Sequence, residues 1–295
     1  MNIAICISGE PRYLEHIESS LVTARKYCKQ HGFTLHIFYH LWDTVTKRQK
    51  EIKQEPVIEQ IQPEYLESLI QPTIGICQSK NILDPEVEYC YNYINSLIDN
   101  IEIYNNKKNT EDIYMLSRDL SKFKTQIKLS NHPPYSQLSS ICKCQMIRIE
   151  YEEKNNIFYD VVVRTRTDVQ FTFPKIDKLT KSIRFLTGTR PSVFFPGLWV
   201  RGFNNIGVEY CFFVGSSRTL NRILFQNYKQ DIPEILFKIK HAPEKPKLMC
   251  TTSHNSIPTL MYKYEPKLME MKTRTEIRCS MMGFKQKIHQ MEKLF

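Results

Sequence analysis

The chain has 295 residues, enough for one large domain or two small ones, and its 41% hydrophobic and 24% charged content excludes wholesale disorder and the fibrous classes. Lys and Arg outnumber Asp and Glu by 41 to 31, a formal charge of +10 that favours anionic partners such as phosphates without selecting one. Nine scattered cysteines suit a reducing compartment, and no stretch approaches the roughly 20 apolar residues of a membrane span, so the expectation is a cytoplasmic protein without one.

Ile3 to Ile7 is a short apolar run too brief for a signal h-region, closed by the turn residues Ser8-Gly9-Glu10-Pro11. It reads as a buried strand. Leu14, Ile17, Leu21, Ala24 and Cys28 then fall at spacings of three and four, one face of a helix ending near Gly32. Phe33 to Trp42 reads as a second strand. Strand, helix and strand within about 40 residues make a βαβ unit and hence a parallel pair.

Residues 44–71 are polar and helical in propensity, and Thr73 to Cys77 forms a candidate short strand. Residues 84–131 are rich in Asn, Lys, Tyr and Ile with weak periodicity, and read as a helical insertion or lid within a single 1–295 domain. Tyr135 to Asn155 is a helix with Leu138, Cys142, Met146 and Ile149 on one stripe. The β-branched run after Tyr159 predicts a central strand over 160–167. Further strands are expected over 182–186, 192–195 and 207–214, and a helix from Ser217 to about Tyr228. The fold class is therefore α/β: a mostly parallel, Rossmann-like central sheet flanked by helices.

Residues two apart in a strand share a face, so Arg164, Arg166 and Asp168 are expected to point the same way while Thr165 and Thr167 point oppositely. They would emerge at the carboxyl edge of the sheet, where open α/β folds bind ligands. An acid there holds a divalent cation bridging phosphates, or else pairs internally with an arginine. Gly9 permits close backbone approach to a ligand and Arg12 can pair with phosphate. Cys142-x-Cys144, and Cys250 with His254, do not supply the four ligands of structural zinc.

Four blocks, in order, resemble a group of GT-A-type glycosyltransferase-like proteins from bacterial surface-polysaccharide clusters and large DNA viruses. They are Ile3 to Arg12, His36 to Asp43, Tyr135-Ser136-Gln137 with the helix running into Tyr159 to Asp168, and Phe212 to Ser217. The resemblance implies a GT-A-like fold and a hexosyl- or pentosyltransferase. Its partners would be a nucleotide-sugar donor and a glycan or glycoprotein acceptor. It further implies that Ser8, Gly9, Glu10 and Arg12 wrap the nucleotide, that Trp42 and Asp43 close the second strand beside it, and that Asp168 is the surviving acid of an Asp-x-Asp-like Mn²⁺ or Mg²⁺ motif. By charge, Arg164 and Arg166 can brace that acid or meet the phosphates themselves.

This chain departs from that pattern twice. Arg166 stands where the first acid of the motif would be, and Glu209 is a lone acid where relatives carry a pair. Glu209 is a candidate general base for the acceptor hydroxyl. His254 is a candidate for a late loop that returns an imidazole to a metal or phosphate. Two other classes compete: a nucleic-acid-binding or processing protein, which the sequence provides with no base-reading motif, and a catalytically degenerate nucleotide-sugar-binding module.

Overall fold

The structure, a computed structural model, describes residues 1–47, 57–60, 74–80, 85–107, 125–126, 129, 132–171, 193–194, 198–200, 206–208, 211–224, 228–240, 247–250, 280–281 and 284–285. The expected strand over 182–186, and the candidate residues Glu209 and His254, lie outside them.

The first unit forms as its pattern dictates. Strand β1 (Asn2–Gly9) leads into helix α1 (Leu14–His31), which ends at Gly32 with φ 63°, a left-handed turn whose N–H caps the carbonyls of Cys28 and Lys29. Strand β2 (Thr34–Trp42) returns parallel to β1, with Ile5 opposite Ile37 and Ser8 opposite His40. The βαβ reading is borne out.

The stretch after Trp42 departs from expectation. Thr44–Lys47 (β3) and Val57–Gln60 (β4) pair as antiparallel strands where helical propensity was read. The register sets Thr44 opposite Gln60, Val45 opposite Glu59 and Thr46 opposite Ile58, and the β-branched residues in both segments favour strand over helix. Strand β5 (Ile74–Gln78) then joins the main sheet parallel to β2.

Helix α2 (Pro85–Lys107) opens the 84–131 segment, and it is a packed layer: Val87, Cys90 and Ile94, at spacings of three and four, are buried in the core. Helix α3 (Pro133–Asn155) packs on β1 and β2 and ends at Asn156, left-handed at φ 51°. Strand β6 (Val161–Thr165) follows, parallel to β1 on the side away from β2. Of the predicted 207–214 strand, Ile206–Val208 (β9) leaves to pair with Leu198–Val200 (β8), while Phe212–Gly215 (β10) enters the sheet antiparallel to β6. Val193–Phe194 (β7) closes that edge. Helices α4 (Ser217–Leu224) and α5 (Tyr228–Leu236) follow, with α5 against α2 and α3. Phe237–Lys240 (β11) and Lys247–Cys250 (β12) pair with each other, as do Ser280–Met281 and Phe284–Lys285 (β13, β14).

The fold is mixed α/β, with a six-stranded sheet in the order β5-β2-β1-β6-β10-β7, parallel across its first four strands and flanked by helices. The chain moves outward from β1 through β2 to β5, then returns past β1 to β6. Right-handed crossovers in opposite directions put α1 and α3 on opposite faces. The reversal between β1 and β6 opens a switch point at their carboxyl ends, where such sheets bind ligands. No described helix is long and apolar enough to cross a membrane.

Candidate active site at the carboxyl edge

Four parallel strand ends meet at this edge, and each contributes polar groups. At the end of β1, Gly9 has φ 119°, a conformation open to glycine and strained for other residues, and a Cβ there would meet nothing within 4 Å. The turn therefore demands glycine for its backbone alone. The Gly9 N–H donates to Ser140 Oγ at 2.8 Å, and that hydroxyl donates to the His40 carbonyl at 2.8 Å. The loop after β1 is thus fastened to α3 and β2.

Glu10 sits between two cations, accepting from Arg12 Nε at 2.9 Å and from Lys80 Nζ at 2.7 Å. Lys80, two residues past β5, is 3% exposed, and its backbone N–H donates to Asp43 Oδ1 at 3.3 Å. Asp43 in turn donates its backbone N–H to the Gln78 carbonyl at 3.0 Å, tying the ends of β2 and β5 together. Trp42 is buried and donates its indole N–H to the Ser136 carbonyl at 3.1 Å. Lys80 and Lys143 each hold an ammonium 5.8 Å from its ring centroid, so the indole is a wall that steadies two cations. Gln78 Oε1 accepts from Lys143 at 2.9 Å and meets His40 Nε2 at 2.8 Å.

The third group corrects an expectation. β6 ends at Thr165, so strand alternation stops there and Arg164, Arg166 and Asp168 do not line one strand face. Arg164 is buried, donating Nε to Ser8 Oγ at 3.1 Å, with its guanidinium 5.8 Å from the Phe213 ring centroid. Arg166 leaves the strand with its N–H on the Cys211 carbonyl at 3.1 Å. Its side chain then clasps Asp168 with two bonds, Nε to Oδ1 at 2.8 Å and the second nitrogen to Oδ2. Thr167 donates its hydroxyl to the Glu10 carbonyl at 2.9 Å, which brings this turn against the β1 loop.

Of the expected residues, the structure brings Ser8, Gly9, Glu10, Arg12, Trp42, Asp43, Arg166 and Asp168 to this edge and holds Arg164 inside the sheet beneath Ser8. Sequence reasoning missed Lys80, Gln78, Lys143, Ser140 and Thr167. Lys80 carried a positional signal: it follows the third of three parallel strands, as Glu10 and Asp43 follow the first two. The fit to Mn²⁺ or Mg²⁺ is poor among the described residues. Both Asp168 oxygens are taken by Arg166, and no group of three His, Cys, Asp or Glu side chains comes together as a metal site.

A second polar cluster lies beneath α3. Arg148 is fully buried, pairs with Glu152 at 2.7 Å, and donates to Gln145 at 2.9 Å, to Ser217 at 2.7 Å and to Asn221. It joins α3 to the start of α4. Burial pushes the Cys144 thiol well above its ordinary range, reinforced by a hydrogen bond with Cys6 and opposed by Arg164 and Arg148. Such thiols are inert core groups.

No family model matches the chain, and no curated protein sequence matches it. Among solved structures, the apo form of mouse xyloside xylosyltransferase 1 is similar at 10% identity, over 90% of this chain and 82% of that chain, with a TM-score of 0.31. At that score the likeness carries no weight for fold or activity.

Proposed function

We propose that the chain is a nucleotide-sugar glycosyltransferase of GT-A type, moving a hexosyl or pentosyl group to a hydroxyl of a glycan or glycoprotein. One observation carries the reading: the Gly9 loop, Glu10, Arg12, Lys80 and the Arg166–Asp168 pair converge at the β1/β6 switch point. Three of the four blocks that resemble glycosyltransferase-like proteins end there, at Arg12, Asp43 and Asp168, and the fourth, Phe212 to Ser217, begins there.

In the transfer, the bond from the anomeric carbon to the donor phosphate breaks and its electron pair leaves with the diphosphate. The acceptor oxygen bonds to that carbon and gives up its proton to a base, the role proposed for Glu209. The chain supplies position and charge. Arg12, Lys80 and Arg166, held by Glu10 and Asp168, can meet the negative charge that develops on the departing diphosphate without reorganising at the moment of reaction. No step is routed through a metal. Mn²⁺ or Mg²⁺ at Asp168, with His254, stands as a separate proposal. A catalytically degenerate binding module is the second reading, favoured by the closure of Arg166 on Asp168.

Thermal shift with a panel of nucleotide sugars, with and without Mn²⁺, tests all three, because a ligand of the folded state raises the melting temperature by mass action. The transferase reading expects stabilisation by a nucleotide sugar together with donor turnover. Stabilisation without turnover selects the binding module, and a requirement for Mn²⁺ supports the metal proposal. Stabilisation by oligonucleotides but by no nucleotide sugar defeats the proposal.

A further inference from the structure

A cavity lies at the amino-terminal edge of the sheet, opposite the Gly9 loop. It holds about 350 Å³, at the lower end of small-molecule sites. Ile149, Glu152 and Glu153 of α3 line it, with Asn156 and Phe158 from the connection to β6 and Asn221 from α4. Asn2 Nδ2 donates to the Phe158 carbonyl at 3.1 Å, which sets this connection beside the start of β1. The Gly9 loop is therefore the length of β1 away, roughly 23 Å at about 3.3 Å per residue.

Each wall has a definite chemistry. The Phe158 ring is 70% exposed while its backbone is pinned, so it lines the cavity and not the core. Asn221 Oδ1 accepts from Arg148, which fixes the amide and leaves Nδ2 facing Glu152 Oε2 at 3.4 Å, a long bond with donor capacity to spare. Arg148 also neutralises Glu152, at 2.7 Å. The last carbonyls of α3, those of Glu152 and Glu153, are taken by the N–H groups of Asn156 and Ile157, so the helix end adds no open acceptor. What remains for a ligand is an aromatic face, two amides and the Glu153 carboxylate. No lysine, arginine or histidine is among the lining residues, which disfavours phosphates and other anions. Donors and acceptors around an aromatic face suit a neutral ring with hydroxyls on its rim and C–H groups on its flat side.

We infer that this cavity is a saccharide-binding site, with the Phe158 ring against the flat side of a sugar and Glu153, Asn156 and Asn221 on its hydroxyls. The inference rests on the glycosyltransferase reading and adds to it a second hold on the acceptor glycan, on the edge of the sheet opposite the site of transfer. The buried Arg148 cluster then has a further consequence, since it orients the Asn221 amide that the sugar meets.

Binding of the full chain to an array of immobilised mono- and oligosaccharides, with no nucleotide present, tests it on wild type, Phe158→Ser and Asn156→Gly. Melting temperatures are taken on the same preparations, and spermidine is titrated in parallel as a cationic probe. Phe158 is exposed, and glycine accepts the left-handed backbone of Asn156 at φ 51°, so both variants are expected to melt as wild type does. Wild type should bind at least one saccharide, and each variant should bind it about tenfold or more weakly, the scale of one lost aromatic or polar contact. Undiminished saccharide binding in Phe158→Ser overturns the site, as does a wild-type chain that binds no saccharide, and both leave the glycosyltransferase reading to its own thermal-shift test. A marked drop in the melting temperature of both variants makes these residues structural and overturns the site too. Spermidine binding that Phe158→Ser abolishes, with no saccharide bound, replaces it by a cation site. Saccharide binding that both variants weaken, in a chain that no nucleotide sugar stabilises, upholds the site and overturns the transferase reading alone.

Discussion

The two faces of the sheet are packed by different rules. On the α1 side, Leu14, Ile17, Leu21, Ala24, Tyr27 and Cys28 close over the sheet, joined by buried Ser20, whose hydroxyl oxygen accepts from the Phe171 N–H at 2.9 Å. On the α3 side, buried Ser136, Ser139, Ser140, Gln145, Arg148 and Glu152 interleave with Leu138, Ile141 and Cys142. The first face is held by removal of apolar surface from water, which tolerates changes of shape. The second also depends on buried hydrogen bonds such as those of Arg148 with Glu152 and of Ser140 with His40, where losing one partner costs more than the bond contributes. The α3 face is also the one that fastens the Gly9 loop through Ser140. Polarity inside this molecule therefore has two uses, a structural one at Arg148 and a site-forming one at the strand ends.

The largest effect is expected where that contrast is sharpest. Arg148→Ala strands the buried Glu152 carboxylate and should cost about 3–5 kcal/mol of stability, measured by urea denaturation. Arg148→Met with Glu152→Leu, which removes both charges, should recover most of it. A loss below about 1 kcal/mol for the single variant would show that water reaches Glu152 and that the two faces are not so different.

A smaller loss belongs to the loop. Gly9→Ala meets no clash, so its penalty is that of the φ 119° backbone alone, about 1–3 kcal/mol in the same assay. An unchanged denaturation midpoint would mean that the turn relaxes and that its shape is not imposed by the Ser140 anchor.

The smallest effect is a pH dependence at the polar face's outer end. His36 lies against Tyr159 Oη at 2.9 Å and Tyr151 Oη at 3.4 Å, and burial lowers its pKa from the ordinary 6.5. A base whose folded pKa is depressed favours the folded state while neutral. Its contribution is full above the unfolded pKa and is lost as pH falls through 6.5 toward the folded value. His36→Gln should flatten the acid limb of the stability curve between about pH 5 and 7, the range in which an unperturbed histidine titrates. An acid limb of unchanged slope would remove His36 from the account.

The apolar face was legible from the sequence because its spacing is regular: Leu14 to Cys28 gave the helix, the runs at Ile3 and Val161 gave parallel strands, and Gly32 and Asn156 marked helix ends. The α3 face was half legible. Its stripe through Leu138 and Cys142 was readable, but periodicity treats Arg148 and Glu152 as solvent-facing, and only the pairing shows them buried. Arg164, Arg166 and Asp168 were misplaced for a related reason. Alternation holds only while a strand lasts, and nothing in a run of Arg, Thr and Asp says that it stops at Thr165. Lys80 stayed hidden because a lone lysine after a short strand has meaning only once three strand ends lie side by side. The hairpin of β3 and β4 was lost to helical propensity, which tertiary pairing overrides.

The central claim is that the carboxyl edge, and not the buried cluster beneath α3, carries the chemistry. Donor hydrolysis and melting temperature measured together on Lys80→Met and Asp168→Asn test it most directly. The account predicts that each variant folds and that each loses at least about a hundredfold in turnover of the nucleotide sugar, roughly 2.7 kcal/mol of transition-state stabilisation. Destabilised variants whose remaining folded fraction turns the donor over at the wild-type rate would contradict it, and would make Glu10–Lys80 and Arg166–Asp168 structural ion pairs like Arg148–Glu152.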